Sequence, residues 1–282
     1  MIKLENVTFG YGKEPLFQGL NLKLETGKIY GLLGLNGVGK TTLLDIIVSG
    51  LFPQEGKVLI NEINSRKRSV EYLKNLFIVP EHFNFQPIKI KTFLKANALL
   101  YPHFSYSIFE NLLTEFQLSQ DMKLSEISSG QAKRFLLSFA LSTQTPILLL
   151  DEPTNALDIP SKQTFKKMLV STVAEGSTVV ISTHQVADIE GLIDDIIILD
   201  KGRIIFHNSI DQINNLITQK ILSNAELNTM QEKILYATET FGGYKAILPR
   251  KTENDPIVKI EDLFNAVINA NEKINNFFNS KN

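Results

Sequence analysis

The first residues able to do chemistry are Gly34-Leu35-Asn36-Gly37-Val38-Gly39-Lys40-Thr41-Thr42. They read G-x-x-x-x-G-K-T, the P-loop spacing. Glycines let a backbone approach phosphates closely and adopt φ values that a side chain would forbid. Successive N–H groups, from Gly34 through Asn36, Gly37, Val38 and Gly39, then point inward, and a helix N-terminus adds positive potential. Lys40 can reach β- and γ-phosphates. The Thr41 hydroxyl can ligate Mg²⁺, and Thr42 can hydrogen-bond a phosphate.

A second group lies far along the chain. In Pro146-Ile147-Leu148-Leu149-Leu150-Asp151-Glu152-Pro153 an apolar run ends in two carboxylates. Mg²⁺ is a hard ion held by carboxylates, phosphates and water, which suits Asp151 acting mainly through a water beside Thr41. Glu152 can polarise an attacking water as a general base. Glu81 follows the short apolar run Leu76–Val79 and Pro80.

These groups need elements to bring them together. Lys28–Leu33 has strand length and Leu43–Val48 looks helical, so the glycine loop sits at a strand-to-helix turn. Ile147–Leu150 reads as a strand buried on both faces. Thr178–Ser182, Ile196–Leu199 and Leu76–Val79 read likewise, and they place Glu81, Asp151 and His184 at the carboxyl edge of an open sheet, where ligands bind. Residues 1–30 alternate apolar and polar positions, as antiparallel strands do. Tyr11, between Gly10 and Gly12, falls on a turn, where it can stack on an adenine ring or simply pack against the loop. Lys57–Ile60 is a strand after the Pro53–Gly56 turn, and Arg66-Lys67-Arg68 reads as a solvated loop.

Residues 82–145 lack strand-like runs and are rich in aromatics, with Phe109, Leu112, Leu113 and Phe116 at helical spacing. They read as an inserted helical subdomain whose aromatics are mostly packing. Beyond residue 215, Ile210–Ile221 reads as a helix, and Lys233–Tyr236 and Tyr244–Leu248 can pair as strands across Gly242-Gly243. Thr252–Asp255 is a polar loop, Lys259–Phe264 opens a last helix, and Asn271–Asn282 is expected to fray.

Composition narrows the classes. With 282 residues and 43% apolar content the chain can bury a full core. A net charge of −1 gives no global basic field, so no nucleic-acid partner is expected. The absence of Cys removes disulfides, thiolate metal sites and Cys nucleophiles. The N-terminus lacks a signal-peptide core, and no run approaches a membrane span. Any transport role therefore needs a separate membrane subunit.

One further stretch points to a family. Ile127-Ser128-Ser129-Gly130-Gln131 resembles the L-S-G-G-Q signature of ATP-binding-cassette (ABC) ATPases and lies about twenty residues before the acidic strand. It opens a helix, Ala132–Leu141, at a turn of small residues, which is again an anion site. The resemblance covers residues 1 to about 215. It implies an α/β fold: a RecA-like P-loop core, an N-terminal antiparallel β subdomain, the inserted helical subdomain (82–145), and a small α+β extension over 216–282. It also implies that Ser128, Ser129, Gly130 and Gln131 hold the γ-phosphate of ATP bound to a second cassette, identical or not. Tyr11 then matches the adenine-stacking aromatic, Asn155–Asp158 the D-loop, and His184 the switch histidine that steadies Glu152 and the water.

The resemblance implies an ATP-hydrolysing subunit of a prokaryotic membrane transporter. Such a subunit uses Mg²⁺, contacts a transmembrane permease, and works on the cytoplasmic face of the membrane. Ile260-Glu261-Asp262-Leu263-Phe264 resembles an element of export-type subunits. A soluble assembly ATPase, for example in iron–sulphur cluster building, and a non-catalytic ATP-gated clamp remain open alternatives. Three departures stand out. Glu81 replaces the usual Gln and can ligate Mg²⁺ directly; Ser129 replaces a Gly; Asn155 replaces a Ser.

Overall fold

The computed structural model describes residues 1–281. Alternating side chains build the N-terminal sheet. β1 (Ile2–Phe9) pairs antiparallel with β2 (Phe17–Leu24), Ile2 opposite Leu24. β3 (Ile29–Leu33) leaves this sheet and runs into the glycine loop and helix α1 (Lys40–Ile47). β4 (Glu55–Ile60) and the short β5 (Ile63–Asn64) return to it, in the order β2-β1-β4-β5. Arg66, expected in a solvated loop, lies instead in a short 3₁₀ turn, where its guanidinium donates to the Pro53 carbonyl. Arg66, Lys67 and Arg68 are nonetheless all exposed, so the basic cluster is solvated as expected.

The second sheet carries the chemistry. After α2 (Val70–Leu73) comes β6 (Leu76–Val79). Residues 82–145 then hold α3 (Ile90–Asn97), α4 (Tyr106–Glu115) and α5 (Ser129–Ser142), with one isolated bridge, Lys89 to Lys123, and no named strand. The expected packing role of the aromatics is visible here: Phe93 stands edge-on to both Phe135 and Phe139 at 5.2 Å, a favoured ring geometry. β7 (Ile147–Asp151) is buried at every position. α6 (Ile159–Thr172), capped by Asp158, leads to β8 (Thr178–Thr183). β9 (Asp195–Asp200) and β10 (Arg203–Ser209) complete the sheet. The order is β10-β9-β3-β8-β7-β6, parallel except for β10. The apolar stretches at the centres of its parallel strands, such as Ile147–Leu150 and Ile196–Leu199, are what burial on both faces demands.

The C-terminal part differs from expectation in two places. The helix expected over Ile210–Ile221 stops as α7 (Ile210–Leu216), and β11 (Ile217–Leu222) follows. Ile217, Thr218 and Ile221 are β-branched, and β11 pairs residue by residue with β13, which outweighs a helical reading. After α8 (Asn224–Met230), β12 (Tyr236–Thr240) and β13 (Gly243–Pro249) form the hairpin across Gly242-Gly243. Lys233 lies in a 3₁₀ turn just before it.

α9 (Ile260–Asn269) is the helix expected from Lys259–Phe264. The tail expected to fray over Asn271–Asn282 is helical as α10 (Asn271–Asn279); Asn282 lies outside the described residues. Ile274 and Phe278 are fully buried, and Phe278 stands edge-on to Phe206 of β10 at 5.1 Å. Burying two such side chains contributes roughly 3–6 kcal/mol, enough to hold a polar helix in place. Among the described residues no helix is long and apolar enough to cross a membrane.

Candidate functional site

The site forms where β3, β7 and β8 end side by side. β3 delivers the glycine loop. A Cβ at Gly39, whose φ is +111°, would lie 2.9 Å from the Phe17 ring, so only glycine fits this turn. Lys40 is buried, and its Nζ donates to the carbonyls of Gly34 (2.8 Å) and Leu35 (3.2 Å). Tyr11 is 72% exposed on its turn. Its ring stands edge-on to Phe9 and its hydroxyl lies 3.1 Å from Thr42 Oγ1.

β7 and β8 run in register with Asp151 beside Ser182. Thr41 Oγ1 donates to Asp151 Oδ2 at 2.7 Å, and the Ser182 hydroxyl donates to Oδ1. Asp151 is therefore fixed at both oxygens. Asp45 lies near enough to feel it: burial, and then the Asp151 charge, hold the Asp45 carboxyl above its usual range.

Glu152 is the next residue and takes the left-handed conformation, φ +44°, uncommon outside glycine. That turn aims its side chain back over the glycine loop. Oε1 lies 2.8 Å from His184 Nδ1 and 3.6 Å from Lys40 Nζ; Oε2 accepts from Thr183 Oγ1 at 3.2 Å. A carboxylate can only accept, so Nδ1 carries the hydrogen in this bond and the other ring nitrogen stays available. Glu81 reaches the same place from the end of β6. Its Oε1 accepts from Asn155 Nδ2 (3.3 Å), and Asn155 Oδ1 accepts in turn from Gln185 Nε2 (3.2 Å).

These groups surround a cleft of 680 Å³ lined by Tyr11, Asn36, Gly37, Gly39, Lys40, Thr41, Thr42, Glu81, Glu152 and His184. The structure thus brings most of the sequence-predicted residues to one place. Gly34 and Val38 lie in the loop behind the lining, the carbonyl of Gly34 facing Lys40. The exception is the signature turn. Ser128, Ser129, Gly130 and Gln131 do not line the cleft; Ser129 borders a neighbouring groove of 640 Å³ that meets the cleft at Glu81. Ser128 caps α5 by accepting from Gln131 N (3.2 Å), and Gln131 Oε1 accepts from Ser128 N (2.9 Å).

The donor set suits Mg²⁺ with a triphosphate. Thr41 and Asp151 offer hard oxygens already in contact. Among the described residues no group of three His, Cys, Asp or Glu could hold an ion by itself, so an ion here would need phosphate and water as further ligands. Sequence reasoning missed Ser182, Thr183 and Gln185. The first two come from β8, and only the β7–β8 register could have named them.

Comparison with known proteins agrees with this geometry. The family described as ABC transporter matches residues 17–155. The chain is 31% identical over 217 residues to the Nod factor export ATP-binding protein I of Burkholderia orbicola, covering 72% of this chain and 68% of that protein. It is 23% identical over 257 residues to the ABC transporter ATP-binding protein YtrB of Bacillus subtilis, covering 90% and 88%. A solved dimeric ATP-binding cassette in a post-hydrolysis state, bound to ADP and Pi, superposes with a TM-score of 0.64 at 27% identity, covering 74% of this chain and 98% of that one. With its glycine loop, acidic strand end and histidine gathered in one cleft, the chain belongs to the ABC transporter family of ATP-binding cassettes.

Proposed function

We propose that this chain is the ATP-hydrolysing subunit of an ABC exporter, working as a cassette dimer on the cytoplasmic face of a membrane beside a transmembrane permease. The observation that carries the reading is the separation just described. The cleft holds everything needed to grip and attack a triphosphate except the signature turn, which does not line it. A second cassette is needed to supply that turn. The curated relatives are named as export and transport subunits, which favours this reading over a soluble assembly ATPase.

In this account the exposed face of Tyr11 receives the adenine. Backbone N–H groups of Asn36, Gly37, Val38 and Gly39, with Lys40 and Thr42, hold the phosphates. Mg²⁺, when bound, neutralises charge on the phosphate oxygens, and Thr41 and Asp151 hold it, with Glu81 on the same wall. Glu152 takes a proton from the attacking water. Thr183 and His184 keep its two oxygens in place, and the free ring nitrogen of His184 faces the γ-phosphate. Ser128, Ser129, Gly130 and Gln131 of the other cassette close over that phosphate. Because the γ-phosphate bridges two protomers, its affinity differs between open and closed states, as a ligand that drives a switch requires.

Residues 1–215 would be the cassette, with 82–145 as its helical subdomain, and 216–282 an extension that packs against it through Ile274 and Phe278. A groove of 400 Å³ between the core and the helical subdomain, lined by Val48, Val70, Leu73, Leu76, Leu100 and Tyr101 with Lys74 as its one charge, is mostly apolar, and Val70 in it and Leu99 next to Leu100 are each 81% exposed. Such a patch suits a permease segment. Purifying the tagged chain from detergent-solubilised membranes tests the reading. A multi-span membrane protein should co-purify, and the complex should hydrolyse ATP. A chain that hydrolyses no ATP, or that never carries a membrane partner, would contradict it.

A further inference from the structure

Lys133 sits on the second turn of α5, where the signature turn has become helix. It is only 2% exposed. Its Nζ donates to the backbone carbonyls of Pro80 (3.0 Å) and Glu81 (3.3 Å) and lies 5.3 Å from the centre of the Phe83 ring. Among the described residues no carboxylate stands within ion-pair distance of it. Burying an ammonium without a counter-ion costs several kcal/mol unless hydrogen bonds replace the lost water. Here two successive carbonyls and an aromatic face supply that replacement. A methionine would fill the same space without the desolvation cost, so the charge is not needed for packing alone.

What the ammonium holds is the backbone that places Glu81 in the cleft. What it stands on is the helix opened by Ser128 and Gln131. That helix is also fixed against the loop after Glu152: a Cβ on Gly130 would lie 2.8 Å from the Ala156 carbonyl. In a cassette dimer Glu81 lines the protomer's own ATP site, while Ser128 serves its neighbour's. Among the described residues Lys133 is the side chain of that helix that hydrogen-bonds the Glu81 backbone, beside the packing of Phe135 on Phe85.

We propose that Lys133 is a positioning residue that yokes the Glu81 loop to the signature turn, so that occupancy of a protomer's own cleft is felt by the turn it offers to its partner. This rests on the functional reading above. It makes a specific demand: without the yoke each cleft still binds ATP, but closure of the pair and turnover suffer.

The test uses the full-length chain with Lys133→Met and Lys133→Gln. ATP affinity is read by nucleotide titration without turnover. Dimer formation is read by light scattering in the Glu152→Gln background, and kcat by steady-state hydrolysis. Lys133→Met should bind ATP as the parent does, lose about tenfold in kcat, and need about tenfold more ATP to dimerise, the scale of a small misplacement of reacting groups. Lys133→Gln, which keeps a donor, should fall between the two. Parental kcat and dimerisation in Lys133→Met would overturn the assignment, as would a loss of ATP affinity in step with kcat. If Lys133→Met does not fold, Lys133→Gln decides: lowered kcat at unchanged affinity supports the yoke, and parental kcat overturns it. If the parent chain itself neither turns over nor dimerises, the functional reading fails and the role of Lys133 falls with it. A working parent beside an unaffected variant removes Lys133 alone.

Discussion

His184 Nδ1 lies 2.8 Å from Glu152 Oε1, and Thr183, the residue before it, holds Oε2 at 3.2 Å. Two consecutive residues at the end of β8 thus grip both oxygens of one buried carboxylate. A group so fixed is placed to take a proton from a water in a single direction. Glu152→Gln should bind ATP with little change and lose about 10²–10⁴-fold in kcat, the range of general-base catalysis. ATP-bound dimers should accumulate on size exclusion. Steady-state turnover near the parent's would show that Glu152 is not the base.

Glu81 brings a negative charge to a cleft already lined by Glu152, with Asp151 buried behind Thr41, and Asn155 holds it there. Glu81→Gln should raise the Mg²⁺ concentration for half-maximal hydrolysis by about tenfold if the carboxylate helps hold the ion. Asn155→Ser, which frees the carboxylate, should move the same curve without removing the charge. Unchanged rate and unchanged Mg²⁺ dependence in Glu81→Gln would exclude Glu81 from the metal's surroundings.

Gly39 and Gly130 separate the two halves of the account. A methyl at Gly39 meets the Phe17 ring at 2.9 Å in a backbone with φ +111°, and the strain is of order 1–3 kcal/mol. Gly39→Ala should lower the melting temperature and abolish nucleotide binding together. Gly130→Ala meets the Ala156 carbonyl, and neither residue lines the chain's own cleft. It should leave ATP binding intact and abolish ATP-driven dimers. The same ATP affinity in both variants would contradict this division.

Burial pushes the Lys133 ammonium down to about 8, against the pull of Asp151, Glu81 and Glu152. The unfolded chain keeps its proton to about 10.5. Between those values the unfolded state binds the extra proton, so raising the pH favours the fold. Relative to Lys133→Met, the parent should gain stability from pH 8 to 10, at up to about 1.4 kcal/mol per pH unit. Denaturant melts of both proteins across that range measure the difference. A constant difference would place the lysine's titration elsewhere.

What could be read from the chain was what is written locally. The glycine loop, the acidic strand end and the spacing to Ser128 are short patterns whose chemistry depends on neighbours in sequence. The parallel strands announced themselves because a doubly buried strand carries a continuous apolar run, as Ile147–Leu150 and Val179–Ile181 do. What escaped depends on contacts between distant segments. Ile217–Leu222 is a strand because β13 lies beside it, and α10 is ordered because Ile274 and Phe278 find a pocket among residues of β10 and α9. Ser182 and Thr183 reached the site by register. The role of Lys133 likewise depends on carbonyls of a distant loop, those of Pro80 and Glu81.

The central claim is that one ATP is held between the glycine loop of one protomer and the signature turn of another. The chain has no cysteine, so it can be given exactly one. In the Glu152→Gln background, chains carrying Asn36→Cys are mixed with chains carrying Ser128→Cys and treated with a short thiol crosslinker. The account predicts a crosslinked pair that forms with ATP and is absent without it. A mixture that yields no pair with ATP, or the same amount with and without it, would contradict the claim.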